Sequence, residues 1–105
     1  MIEYNKLVRD RIPAIIEGQE ERPIYRILDE KEYALRLEAK LDEEVAEFHR
    51  DRNPEELADI LEVVFALSET LGCSKEELLA LCQEKHDRRG GFSERIFLIG
   101  KEPLE

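Results

Sequence analysis

Acidic residues interleave with leucine, valine, phenylalanine and isoleucine throughout the stretch LDEEVAEFHRDRNPEELADI, residues 41–60. On both sides of residues 50–53 the apolar residues recur at helical spacing, which is typical of amphipathic α-helices. Because a residue before proline disfavours α geometry, Asn53 interrupts the helix and Pro54 opens the next one. A short break of this kind joins antiparallel neighbours, so the stretch predicts a helical hairpin.

Start and stop signals along the chain predict four helices. Asp29 with Glu32, the Asn53 start with Glu56, and Ser74 with Glu77 have the spacing of capping boxes, and glycines follow three of the helices. The predicted ranges are 10–18, 29 to about 50, 53–72 and 74–91.

Two short segments, PIYRIL at 23–28 and RIFLI at 95–99, have the β-branched and aromatic composition of strands. A lone strand is not stable in water, so we expect the two to pair, either with each other or with a partner subunit. We therefore expect an all-α, mainly helical fold: a single domain, residues 1–105, with a helix-hairpin bundle and a minor two-stranded β element. The third helix has a wider apolar arc than its neighbours can cover, which predicts completion by oligomerisation, as a homodimer or a dimer of dimers.

Composition and charge restrict the binding partners and the cellular compartment that we expect for this protein. The formal net charge of −10 repels phosphate backbones, so we expect no nucleic acid polymer as a partner. The sequence has neither a signal-peptide core nor an apolar run long enough to cross a bilayer, so we expect a cytoplasmic protein with no membrane partner. Cys82 lies on the apolar stripe of the fourth helix, and we expect it to be buried.

Helical periodicity separates the acids of the hairpin into two sets. Glu55, Glu62 and Glu69 recur every seven residues and form a solvent-facing stripe. Four other acids lie in or beside the apolar arcs, at matched distances from the break: Glu44, Glu47, Glu56 and Asp59. Carboxylates buried at close range are stable only when they are protonated, paired with cations or bound to metal. Because hard oxygen donors without histidine or thiolate prefer Mg²⁺ or Mn²⁺ to zinc, the four acids predict a site for Mg²⁺, with Mn²⁺ as a substitute.

Simpler roles compete with metal binding for three of these acids. Glu56 is also the reciprocal member of the capping box at the start of the third helix. Glu44 and Glu47 have the helical spacing to pair with Lys40 or Arg50.

The acidic motifs resemble those of a known family. EEVAE at 43–47 followed by ELAD at 56–59 is similar to the EExxE…ExxD signature of the MazG-like, all-α nucleoside triphosphate pyrophosphatases, which include phosphoribosyl-ATP pyrophosphohydrolases. YNKLVRDRIP, YRILDEKEY and GGFSERIFL extend the resemblance over nearly the whole chain, to a small single-domain branch. Only eight residues separate Glu47 from Glu56, which is fewer than in many MazG proteins.

The resemblance implies hydrolysis of a nucleotide between its α- and β-phosphates, giving a monophosphate and pyrophosphate. By motif position it makes Glu44, Glu47, Glu56 and Asp59 the Mg²⁺ ligands. It assigns Glu43, Glu44 and Glu47 to catalysis, with Glu43 as a base or as a group beside the ligands. Two alternatives stay open: phosphoribosyl-ATP hydrolysis in histidine biosynthesis, and a non-catalytic helical interaction or regulatory module.

Basic residues at two places in this acidic chain are candidates for binding the phosphates of a nucleotide substrate. They are Lys6 and Arg9 near the start, and Lys85, Arg88 and Arg89 on the fourth helix. Lys85 falls on the apolar stripe of that helix, where an apolar residue is expected. Cations near a carboxylate cluster bind the phosphate oxygens that metal leaves exposed. The alternatives are that these cations form salt bridges with acids, or that a lysine stem lies along the core with its ammonium in water.

Overall fold

The computed structural model describes residues 1–104, and over that range the chain forms four α-helices. They are α1 Ile12–Gly18, α2 Glu30–Asp51, α3 Pro54–Thr70 and α4 Lys75–Arg89. Each end lies within two residues of its predicted position, the usual uncertainty of a helix boundary. The mainly helical fold is therefore confirmed.

The capping signals hold these helix starts in place, although they act in different ways. At α4 the box is complete: the Glu77 N–H donates to Ser74 Oγ at 3.1 Å, and the Ser74 N–H donates to Glu77 Oε1 at 3.2 Å. At α2 the Glu32 N–H donates to Asp29 Oδ1 at 2.8 Å. The Glu32 carboxylate does not return to the cap but accepts two bonds from Arg26, at 3.0 and 2.7 Å. A local capping signal therefore fixes where a helix starts, but not what the acid in it binds.

The hairpin of α2 and α3 forms the centre of the molecule. Its connection is short because Arg52 adopts the left-handed conformation, with φ 49°, and its N–H donates to Phe48 O at 2.8 Å. Leu37 and Val63, one on each helix, are the buried apolar side chains among the described residues. Helix α4 contacts α3 but not α2. The hairpin therefore supplies the apolar core, and α4 extends from one end of it.

The segment before α1 lies along the hairpin. Lys6 Nζ is 3.8 Å from Glu43 Oε1 on α2, and Arg9 Nη2 is 2.6 Å from Asp59 Oδ1 on α3. Leu7 between them is half-buried beside α2. The segment therefore contacts both helices on the side that carries the acidic motifs.

The predicted β element is not formed within the chain. Residues 1–104 contain no strand, and no backbone hydrogen bond joins 23–28 to 95–99. The Arg26–Glu32 ion pair holds the first segment against the start of α2, and the second segment follows a turn in which the Arg95 N–H donates to Phe92 O at 3.1 Å. The prediction that the two segments pair with each other is therefore wrong. Pairing with a partner subunit stays a prediction.

The apolar stripe of α4 is largely uncovered. Cys82 is exposed, contrary to the prediction, and Leu79 and Leu81 are also exposed. The reason is that, among the described helices, α4 contacts α3 but not α2, so the hairpin covers only part of this stripe.

Within the described part of the chain, no helix has both the length and the apolar composition needed to cross a bilayer.

Candidate metal centre

Glu44 is the one carboxylate-bearing residue among the described residues that is buried. It lies on α2 with only 6% of its surface exposed. One oxygen, Oε1, lies 3.4 Å from Lys40 Nζ. The other, Oε2, is buried and has no hydrogen-bond partner in the described structure. Because buried polar atoms are almost always hydrogen-bonded, an unpartnered carboxylate oxygen indicates a ligand or proton that the protein atoms do not supply.

The acids of both helices converge on Glu44. One carboxylate oxygen from each of Glu44, Glu56 and Asp59 lies within 4.8 Å of the others, and Glu43, Glu44 and Glu47 form a second group of the same size. The four acids selected by periodicity are thus brought together around a single buried carboxylate.

Glu56 has a role beyond helix capping. Its N–H donates to Asn53 Oδ1 at 3.1 Å, as the capping signal predicts. Its carboxylate does not complete a capping box, in contrast to Glu77, and its Oε2 is buried without a hydrogen-bond partner among residues 1–104. The cap therefore explains the position of the Glu56 backbone, but not the direction of its side chain.

The electrostatics of the cluster favour added positive charge. Burial raises the pKa of Glu44, and the neighbouring Glu47 carboxylate raises it further, while Lys40 acts in the opposite direction. Burial also raises the pKa of Glu56, as do the carboxylates of Glu47, Asp51 and Asp59. Each shift means that the negative form is disfavoured where it stands. A proton or a cation at this place relieves the repulsion.

Lys40 is the cation that the chain itself supplies on α2. Its ammonium lies 3.4 Å from the carboxylates of both Glu43 and Glu44, and its side chain is 17% exposed. Helical spacing predicted Lys40 as a possible partner for Glu44, and this pairing is present. The salt bridge between Lys40 and Glu43 was not predicted, although a spacing of three residues is typical of ion pairs on a helix. One ammonium shared by two acids leaves the cluster net negative.

The basic residues near the start of the chain form salt bridges with acids of the cluster. Arg9 pairs with Asp59 and Lys6 with Glu43, so the salt-bridge alternative describes both in this structure. Both cations remain about half exposed, with side-chain exposures of 56% and 45%. They therefore lie beside the acids and open to solvent, where a second anion has access to them.

The basic residues of α4 are not brought to the cluster by this chain. Lys85, Arg88 and Arg89 are exposed, and Arg88 Nη2 lies 4.0 Å from Glu84 one turn earlier on the same helix. Helix α4 has no contact with α2, which carries most of the acids. Their assignment to substrate stays a prediction.

The donor set fits a small divalent cation. All the candidate ligand atoms are carboxylate oxygens, two of them buried and unpartnered. Mg²⁺ binds such oxygens at about 2.1 Å in an octahedron, which places neighbouring ligand oxygens about 3 Å apart. Oxygens within 4.8 Å of one another need only small side-chain movements to reach this spacing.

Comparison with known proteins adds little about activity. No protein-family model matches the chain, and no solved structure matches it. Over 42 residues the chain is 55% identical to an uncharacterized protein of Mycolicibacterium smegmatis. The matched stretch is 40% of this chain and 43% of that protein, so the two are similar over less than half of either.

Proposed function

We propose that the protein is a Mg²⁺-dependent nucleotide pyrophosphohydrolase. It cleaves the bond between the α- and β-phosphates of a nucleoside triphosphate and releases a monophosphate and pyrophosphate. The observation that carries this proposal is the pair of buried, unpartnered oxygens on Glu44 and Glu56, one in each of the two acidic motifs. The resemblance of those motifs to the MazG-like pyrophosphatases supplies the reaction.

Four of the motif acids would hold the metal, and the fifth would act on the attacking water. Glu44, Glu47, Glu56 and Asp59 would hold Mg²⁺, which, when bound, neutralises phosphate charge and lowers the pKa of a bound water. Glu43 stands outside this ligand set, held by Lys40 at 3.4 Å and Lys6 at 3.8 Å. A carboxylate that metal does not occupy accepts the proton of the attacking water. We assign this task to Glu43.

Lys6 and Arg9 bind the phosphates of the substrate. In the substrate-free protein their charges are matched by Glu43 and Asp59. With Asp59 as a metal ligand, Arg9 would be free to bind phosphate oxygens in a bidentate manner. Binding of a phosphate by Lys6 would separately leave the Glu43 carboxylate available to the water.

We propose that the enzyme acts in the cytoplasm, where it removes unwanted nucleotides from the nucleotide pool. We propose that it works as a homodimer or a dimer of dimers. Contact of Lys85, Arg88 and Arg89 with substrate then requires α4 of a second copy, because α4 of the same chain does not contact α2.

Pyrophosphate release tests the proposal directly. A panel of nucleoside triphosphates, modified nucleotides and phosphoribosyl-ATP is assayed with and without Mg²⁺, and we expect Mg²⁺-dependent pyrophosphate from at least one substrate. Glu56→Gln is expected to lower the rate at least 100-fold because it removes a ligand charge. Glu55→Gln, its exposed neighbour on α3, is the matched control and keeps the rate within twofold. Release of orthophosphate alone refutes the bond assignment, and no release from any substrate refutes the activity.

A further inference from the structure

The segments at 23–28 and 95–99 carry a set of apolar side chains that residues 1–104 leave exposed. Seven large apolar residues of these segments are exposed to solvent, and the exposed fraction of each lies between 64% and 96%. They are Ile24, Tyr25, Ile27, Ile96, Phe97, Leu98 and Ile99. Single exposed apolar residues are ordinary on a protein surface, but four in succession at 96–99 mark an interaction surface.

Apart from the Arg95 N–H, which donates to Phe92 O, the backbone of both segments has no backbone hydrogen-bond partner among the described residues. No backbone–backbone hydrogen bond outside the helices involves residues 22–28 or 96–104. Both segments have the β-branched and aromatic composition of strands, and such segments with unpaired N–H and C=O groups readily pair with another chain.

The surface area of the whole chain shows how much cover is missing. A compact monomer of 12.3 kDa exposes about 6,100 Å². This chain exposes 9975 Å², which is about 3,900 Å² more than that expectation. Its radius of gyration is 18.9 Å, against about 13 Å for a compact domain of this length. An obligate dimer buries roughly 1,000–2,500 Å² on each chain, so the excess is large enough for such an interface.

We propose that the 95–99 segment of one copy pairs as a β-strand with the 23–28 segment of a second copy. The exchange is reciprocal: a two-fold axis gives two identical junctions and satisfies both segments of both chains. The occupant is a second copy because each chain carries both halves of the junction. Neither PIYRIL nor RIFLI contains an acid, so the net charge of −10 is not concentrated where the chains meet.

Proline variants of the full-length chain test this junction. Phe97→Pro and Tyr25→Pro each remove a backbone donor that a strand ladder needs, at positions that make no backbone hydrogen bond in the described structure. Lys101→Pro, outside the apolar run, is the matched control. Far-UV circular dichroism is expected to show unchanged helix content in all three variants. By light scattering at 50 µM, the wild type and Lys101→Pro should have a mass of about 25 kDa or a multiple of it, since one chain is 12.3 kDa. Phe97→Pro and Tyr25→Pro should have at most half the wild-type mass.

Mixing the two disabled variants tests the reciprocity. Phe97→Pro keeps an intact 23–28 segment and Tyr25→Pro an intact 95–99 segment, so an equimolar mixture can form one junction of the two. We expect the mixture at 0.5 mM to have twice the mass of either variant alone. A monomeric wild type, a mass unchanged in either variant, or a mixture that gains no mass overturns the proposal. No readout depends on catalysis, so the outcome is independent of the proposed activity.

Discussion

Replacing Glu44 by glutamine is expected to stabilise the metal-free protein. Glu56 and Asp59 each have an oxygen within 4.8 Å of a Glu44 oxygen, and each charged pair at that distance costs about 3.5 kcal/mol at an effective dielectric constant of about 20. Lys40 at 3.4 Å offsets about 5 kcal/mol of this repulsion. Glu43 and Glu47 also have an oxygen within 4.8 Å of a Glu44 oxygen, so the repulsion exceeds the attraction of Lys40. Uncharged replacements of buried ions stabilise proteins by roughly 1–4 kcal/mol, and we expect a gain of about 2 kcal/mol here.

Thermal unfolding with and without Mg²⁺ measures both parts of this prediction. At pH 8 without Mg²⁺, a gain of about 2 kcal/mol raises Tm by about 10 °C in a chain of this size. Addition of Mg²⁺ at about 100 times its Kd stabilises the wild type by about 2.7 kcal/mol. Glu44→Gln is expected to show little of that increase, because a ligand charge is gone. Glu38→Gln, an exposed acid on the same helix, should behave like the wild type in both conditions.

Two results would refute the reasoning. If Glu44→Gln unfolds at a lower temperature than the wild type without Mg²⁺, the cluster is not net repulsive and Lys40 compensates it fully. If Mg²⁺ stabilises Glu44→Gln as strongly as the wild type, the cation binds elsewhere.

Three further expectations follow from the same structure. The folded-state pKa of Glu44 is raised above its ordinary value of 4.5, so its contribution to stability is full below that value and is lost as pH rises through the folded pKa. The Tm advantage of Glu44→Gln without Mg²⁺ should therefore shrink from pH 8 to pH 5, and a pH-independent difference would contradict this. Arg9→Ala should raise KM for the triphosphate more than it lowers kcat, whereas Arg22→Ala, an exposed arginine without an ion pair in the described structure, should change neither. Leu37→Ala should cost about 2–5 kcal/mol in urea unfolding because it empties a site that is 3% exposed. Leu35→Ala, on the exposed face, should cost less than about 0.5 kcal/mol, and equal losses would show that the hairpin core lies elsewhere.

The helices and the hairpin could be predicted because their signals are local. Asp29, Asn53 and Ser74 each accept from the backbone N–H three residues later, as the sequence indicated. Counting turns outward from the break also placed Glu44 and Asp59 close together, because two helices joined by a short connection have a fixed register. The convergence of the acids was predictable for the same reason.

The partners of the cations could not be predicted from local signals. Arg9 reaches Asp59 across fifty positions, through a segment whose path depends on packing against the hairpin. Lys85 and Cys82 share a stripe that predicted burial, but burial depends on the direction in which α4 leaves α3. Helical periodicity identifies the face of a helix that is apolar. It does not identify what covers that face.

The pairing of the two β segments within the chain was mispredicted for a related reason. Composition marks 23–28 and 95–99 as strand-like, but a strand exists only when its ladder is complete. Within one chain the ladder does not form, and Arg26 binds Glu32 on α2 instead.

All five motif acids lie between Glu43 and Asp59, on two helices that are consecutive in the chain. A single exchange of DNA between genes would therefore transfer the entire acidic cluster, together with the turn that sets its geometry. A host scaffold would need only to accept one helical hairpin and cover its apolar side. The cluster could accordingly pass between helical architectures as one inherited block, without being reassembled residue by residue.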